Sequence, residues 1–173
     1  MAQRVFLIGF MGAGKTTIGK YVARDMGWTF IDMDQRFERE QGCTISQFFA
    51  EKGEAAFRQE ETNLLRKLAQ EDKVIVSTGG GTPCSDENIK IMRESGEVIY
   101  INVEPEILCK RLSTAKANRP LIANKTDEEL LSFIEDKLNE REKYYRQASI
   151  IVDGDKLPFS SYRFLIEMAD NNE

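Results

Sequence analysis

Short apolar runs alternate with stretches of helical spacing along the whole chain. The runs fall at Val5 to Ile8, Phe30 to Ile31, Val74 to Val76, Val98 to Val103 and Ile150 to Val152, and each is short enough for a strand buried on both faces. Between them, helical spacing covers Ile18 to Met26, Ile45 to Gln70, Asp86 to Glu94, Glu106 to Leu112, Asp127 to Gln147 and Pro158 to Ala169. In the second of these, Phe57, Glu61, Leu64, Leu65 and Leu68 share one face; in the fifth, Leu130, Leu131, Ile134, Leu138, Arg141 and Tyr145 do. Regular alternation of this kind predicts an α/β fold, a parallel sheet with helices on both faces. Ligands in such folds sit at the carboxyl ends of the strands, so the residues after each strand are the candidates for chemistry.

After the first strand comes Gly9-Phe10-Met11-Gly12-Ala13-Gly14-Lys15-Thr16, two glycines five apart followed by Lys and Thr, leading into a helix. This is the phosphate-binding loop in its required context. Gly9, Gly12 and Gly14 let backbone N–H groups turn inward around phosphate oxygens, the helix points its positive end at the same anion, Lys15 adds a charge, and Thr16 offers a hydroxyl to magnesium. The second strand runs into Asp32-Met33-Asp34. One carboxylate is placed to reach the magnesium shell and the other a substrate hydroxyl; alternatively Asp34 only caps the helix that follows. The third strand ends in Gly79-Gly80-Gly81, which permits close backbone approach to a ligand or forms a simple loop, and it offers Ser77 and Thr78 where a Walker B aspartate is expected. Asp32 must then supply the carboxylate side of a magnesium site.

Two arginines are awkward. Arg58 lies near a helix start, where the dipole disfavours a cation, so it is either a surface residue or faces an anion. Arg141 falls on a leucine stripe, so it pairs with a core acid or grips an acidic substrate. The polar, basic segment Ser113 to Ile122 reads as a lid in which Arg119 can swing over a transferring phosphate. Asn124-Lys125-Thr126-Asp127 spells a guanine-recognition pattern, but it opens a helix instead of ending a strand, with Thr126 or Asp127 as cap. Asp153-Gly154-Asp155-Lys156, after the last strand, reads as a turn at the base-binding end of the nucleotide site.

Composition narrows the chemistry further. The 173 residues suit one domain, and 41% hydrophobic with 31% charged residues describe a soluble globular protein. A net charge of −5 leaves no basic footprint for nucleic acid, and no apolar run approaches a membrane span. Cys43, Cys84 and Cys109 are widely spaced and read as reduced thiols of a cytoplasmic protein. With no histidine, any catalysis must run on carboxylates, Lys, Arg, backbone amides and a hard metal.

In combination, Gly9 to Thr16, Asp32-Met33-Asp34, Phe57-Arg58, Gly79-Gly80-Gly81, Arg119-Pro120-Leu121 and Arg141 with Tyr145 resemble the shikimate kinases over nearly the whole chain. The resemblance implies a three-layer P-loop kinase fold with five parallel strands in order 2-3-1-4-5, a substrate-binding helical region over about 33–61 and a lid over about 112–124. It implies ATP contacts from Gly12, Ala13, Gly14, Lys15, Thr16, Thr17, Arg111 and Arg119, with Arg111 against adenine. Shikimate would be held by Asp34, Arg58, Gly79, Gly80, Gly81 and Arg141, and Mg2+ by Thr16 and, through water, Asp32. Lys15, Asp34 and Arg119 would be catalytic, in a cytoplasmic monomer whose partners are ATP and shikimate. One position departs: the family commonly carries proline two residues after the helix arginine, where this chain has Lys143. A gluconate kinase shares the loop and lid but has less need of the arginine pair, and a nucleotide-dependent switch is the reading of a different class.

Overall fold

The computed structural model describes residues 4–114 and 122–170. Its elements run β1 (Arg4–Ile8), α1 (Lys15–Met26), β2 (Thr29–Asp32), α2 (Met33–Gln41), α3 (Ile45–Leu68), β3 (Val74–Ser77), α4 (Asp86–Ser95), β4 (Glu97–Asn102), α5 (Pro105–Ser113), α6 (Asp127–Tyr145), β5 (Ile150–Asp153) and α7 (Ser160–Asp170). The five strands form one parallel sheet in the order β2-β3-β1-β4-β5. This is the expected order.

Strand alternation divides the core into two. Val5 and Leu7 of β1 face one cluster with Ile75, Ile99 and Ile101, closed by α1, α5 and α7. Phe6 and Ile8 face the other with Val74, Val76, Val98 and Tyr100, closed by α2, α3 and α4. Both faces being covered explains why the strands read as continuous apolar runs instead of alternating ones. Helix α6 contributes to both: Leu130 and Ile134 join the first cluster, Tyr145 the second.

Local signals account for the helix ends that matter to the site. Thr44 and Gln47 form a capping box at the start of α3, as Thr126 and Glu129 do for α6. Gly53, at φ 81°, interrupts α3, so the expected single helix from Ile45 is two helices joined at a kink. A fresh helix therefore begins just before Arg58. Lys143 leaves the exit of α6 regular: the helix continues to Tyr145, and Arg146 closes it with an N–H bond to the Glu142 carbonyl.

Candidate active site

The phosphate loop joins the central strand β1, buried from Val5 to Ile8, to α1, so its position is set by the middle of the sheet. Gly9, Gly12 and Gly14 have φ of 142°, 81° and 97°, conformations closed to most side chains, and Gly14 is the left-handed N-cap of α1. No side chain caps that helix, so its first N–H groups face the loop. Lys15 is buried and its Nζ donates to the carbonyls of Gly9 and Phe10 at 2.8 and 2.9 Å.

At the end of β2, Asp32 accepts from the Thr16 hydroxyl at 3.0 Å and from the Gln35 N–H at 3.2 Å. The helix cap is thus Asp32 and not Asp34, which stands in the first turn of α2. Asp34 and Asp32 line one cavity of about 500 Å³ with Gly12, Lys15, Thr16 and Thr17. The Asp34 side chain opens onto this cavity, and loss of water against the concave wall around it, together with the charges of Asp32 and Glu61 and against that of Lys15, pushes its carboxyl up to about 6. A carboxyl raised in this way suits a proton acceptor working near neutral pH.

The three glycines after β3 form a ridge against which Asp34, Arg141 and Arg58 pack. A Cβ on Gly79 would lie 3.0 Å from Asp34 Oδ1, one on Gly80 3.0 Å from Arg141 Nη1, and one on Gly81 2.8 Å from Arg58 Nη2. Each glycine therefore admits one of these three side chains. The ridge is fixed from three sides. Thr78 binds the Leu7 carbonyl through its N–H and hydroxyl, Asn88 of α4 donates to the Thr82 carbonyl at 2.8 Å, and the Tyr145 hydroxyl donates to the Gly80 carbonyl at 2.6 Å. Burial holds the Tyr145 phenol far above its ordinary acidity range, so it stays a donor.

Arg58 donates to Glu61 at 2.8 Å, and Glu61, only 3% exposed, takes the Thr82 hydroxyl on its other oxygen at 2.7 Å. Glu61 sits on the apolar face of α3 and reads in the sequence as one more inward position; a carboxylate on that face, three residues after an arginine, is the signal that it anchors Arg58. Arg141 makes no ion pair among the described residues. Its Nη1 is buried without a hydrogen-bond partner and its guanidinium lies 5.4 Å from the centre of the Phe10 ring. Of the two alternatives for Arg141, the core acid is thus excluded among the described residues, and an unpartnered buried N–H asks for an anion. Nothing in the sequence marks Phe10, a position the loop pattern leaves open, as the contact that carries Arg141 to the phosphate loop.

Arg111, at the end of α5, donates to the Gly12 carbonyl at 3.2 Å and pairs with Asp155 at 2.5 Å, bringing the expected base-binding turn to the phosphate loop. Ala13 is buried in the loop. Thr126 caps α6, so the guanine-recognition pattern has no strand end to serve. Cys43, Cys84 and Cys109 are free thiols. Arg119 and residues 115–121 of the expected lid lie outside the described residues. Among the described residues, no helix is long and apolar enough to cross a membrane.

Comparison with known proteins points to one family. A family model described as shikimate kinase matches residues 11–167. A shikimate kinase of Phocaeicola vulgatus is 47% identical over 154 residues, 89% of this chain and 88% of that protein. Among solved structures, a shikimate kinase from Bacteroides thetaiotaomicron superposes with a TM-score of 0.91 at 40% identity, covering 98% of this chain and 99% of that one. One from Acinetobacter baumannii, in complex with shikimate, gives 0.84 at 30% identity, covering 100% and 96%.

Proposed function

Because the chain belongs to the shikimate kinase family, we propose that its own residues divide the family's reaction between a donor loop and an acceptor ridge. The activity is transfer of the γ-phosphoryl group of ATP to the 3-hydroxyl of shikimate, giving ADP and shikimate 3-phosphate on the way to chorismate and the aromatic amino acids. The observation that carries the residue assignment is the ridge Gly79-Gly80-Gly81, which brings Asp34, Arg141 and Arg58 side by side at one strand end.

On this reading Arg58 and Arg141 grip the substrate carboxylate and Asp34 meets the hydroxyls. The unpartnered Nη1 of Arg141 gains its missing acceptor when the carboxylate arrives. Gly12 to Thr17 bind the phosphates through backbone N–H groups, and Lys15, with Arg119, spreads the charge of the transferring group. Thr16 and Asp32, two hard oxygen donors 3.0 Å apart beside the loop, fit a magnesium ion, which keeps waters and takes few protein ligands. Such an ion supplies charge neutralisation to the phosphates when bound. With a carboxyl poised at about 6, Asp34 is ionised at neutral pH, accepts the hydroxyl hydrogen and holds the oxygen in line. Because phosphoryl transfer passes through a loose transition state, this orientation matters more than early deprotonation. The segment 33–61 serves as the substrate-binding region and about 112–124 as the lid of one cytoplasmic, monomeric kinase domain.

A coupled ADP-release assay with ATP against shikimate, gluconate and nucleoside monophosphates tests this function. Turnover with shikimate alone is expected; preference for gluconate or a nucleotide overturns it.

A further inference from the structure

The guanidinium of Arg111 is held at both ends, and only one of its partners belongs to the phosphate loop. Nη1 donates to the Gly12 carbonyl at 3.2 Å and Nη2 to Asp155 Oδ1 at 2.5 Å. Asp155 stands on the turn between β5 and α7, and that turn is pinned. Asp153 Oδ1 accepts the N–H groups of Asp155 and Lys156 at 3.0 and 3.2 Å, the Asp153 carbonyl accepts from Leu157 at 3.0 Å, and Gly154 donates to the Asn102 carbonyl at 2.7 Å. A Cβ on Gly154 would lie 2.6 Å from Ile101 Cγ2 and 2.7 Å from Val103 Cγ2, so the turn is pressed onto β4 with no room to slide. On the opposite side Leu112, the next residue of α5, packs 3.1 Å from where a Cβ on Gly12 would stand. The last turn of α5 is thus clamped between loop and turn.

A carboxylate beside a site for a polyanion opposes binding unless its charge is neutralised. Lys156 is engaged with Asp153 at 2.9 Å, and among the described residues Arg111 is the ion-pair partner of Asp155. Asp155 is therefore spent on orienting Arg111. We infer that Asp155 is a positioning residue for ATP, fixing the plane of Arg111 so that the guanidinium presents a flat cationic face to the nucleobase at a set distance from the phosphate loop. Nothing in the motif that defines the loop calls for this acid; it is the geometry of the Asp153–Leu157 turn that supplies it. The inference rests on the reading of Arg111 as a nucleotide contact.

Calorimetric titration of the whole protein with Mg·ATP and with Mg·tripolyphosphate, which has no base, tests it. Asp155→Ala is expected to weaken ATP about three- to fivefold, the upper range for a partly exposed ion pair, and to leave tripolyphosphate within about twofold. Asp155→Glu should recover part of the loss. In an Arg111→Ala background, Asp155→Ala should cause no further loss and should recover some affinity for both ligands, since it removes a carboxylate that the arginine no longer neutralises. Steady-state kinetics should show KM for ATP raised and KM for shikimate unchanged. Equal weakening of ATP and tripolyphosphate would place the effect in the loop and overturn the inference, as would a full additional loss in the Arg111→Ala background. Thermal melting of each variant detects a damaged turn, and Asp155→Asn, which keeps the shape and removes the charge, then serves in place of the alanine. These titrations need no acceptor, so a wild-type protein that binds ATP without phosphorylating shikimate would defeat the proposed function and leave this comparison readable. An unaltered ATP affinity in Arg111→Ala would instead defeat the reading of Arg111 itself.

Discussion

On the proposed reading, the donor and acceptor halves of this site are built in opposite ways. The donor half is one turn of chain, Gly9 to Thr16, working through backbone N–H groups and a helix end. The acceptor half gathers Asp34 from α2, Arg58 and Glu61 from α3, three glycines from the β3–α4 loop, and Arg141 with Tyr145 from α6. The difference follows from the ligands. A phosphate asks only for convergent donors and positive potential, which a single loop supplies. A cyclic hydroxy-acid needs an acceptor at one edge and cations at another, and no single turn of chain spans that distance. The two halves meet where the Phe10 ring lies under Arg141, where Gly80 stands against Gly9 and Met11, and where the Lys15 charge opposes the rise of the Asp34 carboxyl.

Substitutions should separate the halves. The largest effect is expected for Asp34→Asn, a fall in turnover of about a thousandfold, within the range for a positioned acid–base group, with ATP affinity intact in titration. Near-normal turnover would remove Asp34 from the mechanism. The same variant should be more stable at neutral pH. The folded-state carboxyl is raised from 3.8 to about 6, so its contribution to stability is fully present below about 3.8 and is lost as pH rises through about 6. Melting at pH 7 should therefore favour the variant, and the advantage should vanish near pH 4; an advantage independent of pH would contradict the origin assigned to the shift.

Next in size is Gly81→Ala. Its Cβ displaces the Arg58 guanidinium and should raise KM for shikimate about tenfold, an effect of ~1.4 kcal/mol, while KM for ATP stays put. A matching rise for ATP would mean the halves are not separable at the ridge. Smaller again is Tyr145→Phe, which leaves the Gly80 carbonyl without its donor and should raise KM for shikimate a few-fold without changing turnover. The mildest test is the pH profile of kcat/KM for shikimate. It should show an acidic limb near 6, where burial and the neighbouring carboxylates set Asp34 against Lys15, and the limb should be missing in Asp34→Asn. A limb that persists in the variant belongs to another group.

The two halves also differ in how far the sequence reveals them. The parallel sheet, its layers and the phosphate loop were legible because each depends on contiguous patterns: apolar runs, helical spacing, and glycines at fixed offsets; the strand order came only with the family resemblance. Asp32 and Asp34 were legible as a pair, yet which of them caps α2 was not, because a cap depends on where the chain leaves the strand by a single residue. The kink at Gly53 lies within one apolar periodicity and only backbone dihedrals expose it. Arg58 and Arg141 stood out as cations in unfavourable places. Their supports, Glu61, Thr82 and Phe10, did not, since an anchor is defined by a partner far away in the chain. Asp155 is the extreme case: its meaning comes entirely from Arg111, which the fold brings across from α5.

The central claim is that the arginine pair on the glycine ridge recognises a carboxylate. It is tested most directly by comparing kcat/KM for shikimate and for its uncharged methyl ester in the wild type, Arg58→Ala and Arg141→Ala. The account predicts discrimination of about a hundredfold or more in the wild type, consistent with ~2–5 kcal/mol for a desolvated charge pair, and its collapse to within a few-fold in Arg141→Ala with the KM for ATP unchanged. Undiminished preference for the acid in both variants would contradict it.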